Sequence, residues 1–107
     1  MKWLGIALAC VPGLCQAEAF PIAGDLWASA RTGETIRADS AIRAGMAAYL
    51  ARAQARVRLH YNKRDEPTAQ AEELRGWLIA LGVEAGRIEL IEDSPTDLMT
   101  LEVVDTQ

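Results

Sequence analysis

Cysteine is nearly absent from this sequence, and its two copies, Cys10 and Cys15, both lie within the first 15 residues. Histidine occurs once, as His60. A zinc site would therefore have to rely on carboxylates, and no ligand spacing suggests one. The glycines Gly82 and Gly86 are isolated and do not form a phosphate-binding loop. We expect no metal and no cofactor.

Long hydrophobic runs are also lacking. No uninterrupted apolar segment reaches the roughly 18 residues that a transmembrane helix needs. At the same time, 50% of the 107 residues are hydrophobic and 24% are charged, which excludes a wholly disordered chain. The length is near the common domain size and favours one globular domain.

The N-terminus has the pattern of a secretory signal peptide. Lys2 is followed by the apolar stretch Trp3–Val11, and a Pro-Gly pair at 12–13 ends its helix. Small residues at the positions inspected by signal peptidase place the cleavage after Ala17, with a second site after Ala19. We predict a signal peptide over residues 1–17; an N-terminal membrane anchor and lipidation are the less favoured alternatives.

Cleavage has consequences for stability and location. Removing 17 of the 107 residues leaves 90, without either cysteine, so no disulfide can stabilise the mature chain. Its fold must be held by apolar packing. We expect a periplasmic protein with no stable membrane insertion after cleavage.

Charge is unevenly distributed along the chain. The net charge of −4 becomes −5 without Lys2, which disfavours nucleic acid as a partner. Residues 31–64 sum to +6, whereas residues 65–107 sum to −9. Two arrangements are possible. The folded surface has one basic and one acidic side, or the two halves of the sequence interleave in the fold and their charges are intermixed on the surface. We favour interleaving, because sequence halves rarely stay spatial halves in one mixed sheet.

The first half of the mature chain predicts little regular structure before its first helix. Residues 18–35 indicate an extended lead-in, with a first strand at Leu26–Ala30. Asp39 or Ser40 is a good N-cap, and apolar residues then recur at helical spacing, which predicts a helix near 40–55.

The second half has clearer patterns. Val57–Tyr61 alternates strictly and predicts a strand. A helix begins near Pro67 and ends at Gly82, where a C-cap needs a positive φ. Strands follow at Arg87–Ile91 and Leu98–Val104, joined through a Ser-Pro turn as an antiparallel hairpin.

These elements define the expected fold class. We predict an α/β (α+β) two-layer sandwich of order β-α-β-α-β-β. The strand-helix-strand run implies a parallel pair of strands, so the sheet is mixed and the helices cover one of its faces.

The segment from Val57 to Ile88 resembles the OmpA-like periplasmic domain family. The matching residues are Leu59-His60-Tyr61-Asn62 at the end of the strand, Gln70-Ala71-x-x-Leu74-x-x-Trp77-Leu78-x-x-x-Gly82-Val83 in the helix and its C-terminus, and Arg87-Ile88 at the start of the next strand. The resemblance covers most of residues 36–104 and implies an OmpA-like α/β domain over residues 36–107.

Members of that family bind the diaminopimelate of peptidoglycan through an Asp in the loop and an Arg in the helix. Asn62 and Gln70 stand at those positions here, so the charge-assisted part of each hydrogen bond is missing. Arg64 and Asp65 are candidates to replace them. The expected ligand-binding residues are therefore Asn62, Arg64, Asp65 and Gln70, and the expected partner is an envelope protein or a peptidoglycan fragment.

The resemblance implies a non-catalytic, secreted periplasmic binding module of the cell envelope. The alternative is an accessory or degenerate enzyme subunit that uses His60, Asp65 and Glu66 at the end of the strand. These hypotheses differ in geometry, because the enzyme requires the three side chains to meet in one concave pocket. No catalytic residue is expected otherwise.

Overall fold

The structure is a computed structural model that describes residues 16–105. The predicted signal peptide lies outside the described residues, apart from its last two positions, Gln16 and Ala17. Within the described range, none of the helices has the length and apolar character needed to cross a membrane.

A four-stranded mixed sheet and three α-helices form the fold, as the α/β (α+β) prediction required. The strands are β1 (Gln16–Pro21), β2 (Ala55–His60), β3 (Ile88–Ile91) and β4 (Thr100–Asp105). The helices are α1 (Gly33–Ala38), α2 (Ser40–Leu50) and α3 (Asp65–Ala80). Short 3-10 helices cover Gly24–Ala28 and Ala85–Arg87.

The sheet order is β1-β4-β2-β3. Strands β2 and β3 are parallel and are connected through α3, as predicted. Strand β4 lies between β1 and β2 and is antiparallel to both. The predicted hairpin of the last two strands is therefore wrong. Residues 92–99, which we call the connector, carry the chain past β2 instead of turning it back beside β3.

The N-terminal part of the fold also differs from the prediction of a lead-in over residues 18–35. The first strand is Gln16–Pro21, whereas most of the segment Leu26–Ala30 belongs to a 3-10 helix that buries Leu26. Strand β1 has too few large apolar residues for its local sequence to predict a strand. It is stabilised by its pairing with β4.

Helix boundaries follow from identifiable caps. Helix α1, which was not predicted, begins after Thr32, whose hydroxyl accepts from the Thr35 amide while the Thr35 hydroxyl accepts from the Thr32 amide. The Asp39 carboxylate caps α2 by accepting from the Ile42 amide at 3.1 Å. Helix α2 ends at Leu50, not near 55, because β2 already begins at Ala55.

Helix α3 matches the sequence prediction closely. Its buried residues include Ala71, Leu74 and Leu78. Gly82 follows the helix with φ +113°, the left-handed conformation expected of a helix-ending glycine. The helix therefore packs the predicted stripe against the sheet.

The core lies between the helices and one face of the sheet. One continuous cluster joins the buried residues of α2 and α3 with inward-facing strand residues such as Val57, Leu59 and Leu101. The other sheet face, which we call the open face, carries the alternate residues of each strand. On β2 these are Arg56, Arg58 and His60, which are partly exposed.

The basic and acidic halves of the chain interleave, as we expected. Strand β2 from the basic half lies between β3 and β4 from the acidic half. Ion pairs therefore join the two halves: Arg31–Glu73, Arg52–Asp105, Arg58–Glu89 and Arg64–Asp97.

Candidate functional site

The residues after β2 lie at the end of the sheet where α3 begins. A cleft of about 150 Å³, which we call the strand-end cleft, opens beside the first turns of α3. Its walls come from α3, the connector and the segment after β1. The lining residues are Ile22, Gly24, Trp27, Glu66, Pro67, Gln70, Asp97, Leu98 and Met99.

The four predicted ligand-binding residues have different positions relative to this cleft. Gln70 is half-buried and lines it. Arg64 is exposed, and its Nη1 donates to both carboxylate oxygens of Asp97 at 2.7 Å, so it lies beside the cleft wall. Asp65 is exposed at the first position of α3.

Asn62 has a structural role in the loop. Its Nδ2 donates to the carbonyl oxygen of Ser94 at 2.8 Å, and the Ser94 amide donates to the Tyr61 carbonyl at 3.0 Å. These bonds fasten the connector to the end of β2. The Asn62 amide is thus already engaged at the position where the resemblance places a ligand-binding acid.

Charge and apolar surface are both present in the strand-end cleft. Glu66 and Asp97 supply carboxylates, and Leu98 is 56% exposed. Trp27 lies below the guanidinium of Arg31, whose carbon is 5.3 Å from the centre of the indole ring. A ligand seated there would meet hydrogen-bonding groups and apolar side chains together.

Arg31 also connects the wall that contains Trp27 to α3. Its Nε and Nη2 donate to the two oxygens of Glu73 at 2.7 and 3.1 Å. The hydrogen bond from Arg31 lowers the pKa of Glu73, an effect that partial burial opposes and a further bond from Trp77 reinforces. This bidentate pair fixes the position of one cleft wall relative to the helix.

His60 lies on the open face, in a separate pocket of about 280 Å³. Its Nδ1 is 2.8 Å from Asp93 Oδ1, and its Nε2 is 2.7 Å from Glu102 Oε1. Partial burial lowers the pKa of His60, but hydrogen bonds to Glu102 and Asp93 outweigh it, so the pKa is raised above 6.5.

The proposed enzymatic trio is not assembled. His60 lines one pocket, whereas Glu66 lines the strand-end cleft and Asp65 lines neither. The acidic partners of His60 are 33 and 42 positions away in sequence, in the connector and on β4. Their spacing in the sequence could not identify them as partners of His60, because only the strand order of the sheet brings Glu102 beside β2.

Tyr61, the last residue of the predicted strand, also participates in the loop. It is buried, and its hydroxyl donates to Glu92 Oε2 at 3.1 Å. Burial and this bond to a carboxylate raise the pKa of the phenol. Tyr61 therefore acts as a neutral hydrogen-bond donor that holds the start of the connector.

A third concavity, of about 360 Å³, runs along α2 and is lined mainly by apolar side chains, among them Met46 and Leu50. It lies away from the loop after β2. Within residues 16–105, no group of three or more His, Cys, Asp or Glu side chains is placed to hold a metal ion.

In comparisons with known proteins, no family model, no curated protein and no solved structure matches this chain. The likeness to OmpA-like domains therefore rests on the residues quoted from the sequence.

Proposed function

We propose that the chain is a non-catalytic, secreted periplasmic module of the cell envelope, similar to a shortened OmpA-like domain, that binds its partner at the strand-end cleft. The observation that carries this proposal is the position of the cleft. It lies beside the loop and helix where the resemblance expects a ligand, with Gln70 in its lining and Arg64 joined to its wall through Asp97.

The surroundings of His60 support a non-catalytic role. Each ring nitrogen already lies within hydrogen-bond distance of a carboxylate oxygen. A general base needs a free nitrogen directed at the proton that it removes. The residues lining the His60 pocket include Ser94, but the Ser94 hydroxyl donates to carbonyl oxygens within the connector.

An envelope protein is a better partner for this cleft than diaminopimelate. Neutral amides replace both charged groups that the family uses, and Asn62 is engaged by Ser94. Mixed polar and apolar lining, with Leu98 largely exposed, is typical of a surface that receives a protein side chain.

Binding is tested by incubating the purified protein with isolated sacculi and, separately, with solubilised envelope proteins. Leu98→Ser removes exposed apolar surface from the cleft. Leu50→Ser is the matched control, because Leu50 is 72% exposed but lines the concavity along α2. We expect a protein to be retained by wild type and by Leu50→Ser, and about tenfold less by Leu98→Ser.

Two results would contradict the proposal. Equal retention by both variants would exclude the strand-end cleft as the binding site. Strong sedimentation with sacculi that free diaminopimelate abolishes would identify the cell wall as the partner and overturn the preference for a protein.

Export is tested independently by expression in a Gram-negative host. We expect a periplasmic form that is 17 residues shorter, beginning at Glu18, as read by N-terminal sequencing. Cleavage there would retain residues 18–21 of β1. Uncleaved protein in the membrane fraction would instead indicate an anchor.

A further inference from the structure

His60 joins three parts of the fold that are distant in sequence. It is the last residue of β2, Glu102 lies on the neighbouring strand β4, and Asp93 belongs to the connector. The two nitrogen-oxygen distances, 2.8 and 2.7 Å, are typical of charge-assisted hydrogen bonds.

Both bonds exist together only when the imidazole carries two protons. A neutral imidazole has one N–H donor and one acceptor nitrogen, whereas an ionised carboxylate only accepts. Without its second proton, His60 would direct a lone pair at one of the two carboxylates. The geometry therefore corresponds to the imidazolium form.

The other charged groups around His60 do not alter this conclusion. Arg58 lies two residues earlier on the open face, opposite Glu102, and its Nε is 3.3 Å from Glu89 Oε1 on β3. Strand β1 presents the uncharged Ala19 and Pro21 to this side of the sheet. The charge of Arg58 is thus offset by Glu89, while Asp93 and Glu102 directly contact the imidazole.

The two carboxylates differ in how easily they can separate from the imidazole of His60. The Glu102 side chain is 22% exposed and belongs to a strand that is paired on both sides. The Asp93 side chain is 55% exposed and lies in the connector. Water can replace His60 as the partner of Asp93 more easily than as the partner of Glu102.

We propose that protonated His60 is a pH-sensitive clasp that holds Asp93 against the open face and releases it when the imidazole becomes neutral. Asp93 lines the same pocket as His60 and Glu102, so its release opens that pocket. On one side of Asp93 the Tyr61 hydroxyl donates to Glu92, and on the other side Ser94 is bonded to Asn62 and to the Tyr61 carbonyl. None of these bonds involves His60, so they limit the movement to Asp93 itself.

Because His60 is the only histidine of the chain, its ring resonances are unambiguous in NMR spectra. We expect the ring of the purified protein to titrate with a midpoint above 6.5, and the Asp93 backbone amide to shift with the same midpoint. The direction follows from two anionic hydrogen-bond acceptors that favour the protonated ring.

Two substitutions in the connector make the test specific. Asp93→Asn removes one acceptor charge and should lower the midpoint by about one pH unit. Asp97→Asn is the control, because the Asp97 carboxylate contacts Arg64 and should leave the midpoint unchanged. Both aspartates are exposed, so neither change threatens the core.

Three results would overturn the proposal. The first is a wild-type midpoint at or below 6.5, which would mean that the two carboxylates do not stabilise the protonated imidazole. The second is an Asp93 amide that does not respond while the ring titrates, which would exclude release. The third is an equal midpoint in wild type and Asp93→Asn.

Discussion

Gly45 of α2 lies directly against Leu101 of β4. A Cβ carbon at position 45 would be 2.7 Å from Leu101 Cδ2 and 3.3 Å from Cδ1. Both residues are buried, and the Leu101 side chain is packed within the core cluster. The absence of a side chain at Gly45 thus sets how closely α2 approaches the central strand.

Gly45→Ala should destabilise the protein by about 1 kcal/mol, because overpacking costs about 1–3 kcal/mol and the better helix propensity of alanine returns about 1 kcal/mol. Gly76→Ala is the control within α3, where an added Cβ meets no atom within 4 Å. It should stabilise by about 0.5–1 kcal/mol. Urea denaturation measures both, and a stabilising Gly45→Ala would contradict the close packing.

Leu78 and Ile79 are neighbours on α3 with opposite environments. Leu78 is fully buried, whereas Ile79 is 38% exposed. Leu78→Ala should cost about 2–5 kcal/mol through lost burial and a cavity, and Ile79→Ala less than about 1 kcal/mol. Equal shifts of the denaturation midpoint would show that the orientation of α3 is wrong.

The pair Arg31–Glu73 should make stability depend on pH in the acid range. The folded-state pKa of Glu73 is below 4.5, so its contribution is present above that value and is lost as pH falls through the folded pKa. Glu73→Gln should therefore be less stable than wild type at pH 7, with the difference shrinking in acid. Glu72→Gln, on the exposed neighbouring residue, is the control for thermal unfolding at each pH.

Introducing an acid at position 62 should damage the loop. Asn62→Asp replaces the donor to the Ser94 carbonyl by a carboxylate, and we expect a loss of about 1–3 kcal/mol. Gln70→Glu makes the same amide-to-acid change on a residue that lines the cleft and should cost less. Equal costs in chemical denaturation would mean that the Asn62 bond contributes nothing.

Local sequence patterns predicted the elements that are defined by their own residues. Strict alternation identified β2, and the apolar stripe with its terminal Gly82 identified α3. The pairing of β1 with β4 could not be predicted, because residues 17–19 contain no large apolar side chain and their partner comes more than 80 positions later.

The same distinction applies to the candidate site. Gln70 was singled out because the resemblance to OmpA-like domains places a ligand-binding arginine at this position, and it lines the strand-end cleft. The partners of His60 were missed, because Asp93 and Glu102 reach it only after the connector has passed β2 and β4 has joined the sheet. Short motifs carry no information about such distant neighbours.

The position of β4 also determines when this protein can fold. It is the last described strand in the chain and yet a central strand of the sheet, so β1 and β2 have no common partner until Thr100–Asp105 has been synthesised. Closing these distant pairings early is entropically costly, and high contact order slows folding. We therefore expect the four-stranded sheet to stay incomplete in the nascent chain until Thr100–Asp105 has been synthesised and can pair with both neighbouring strands.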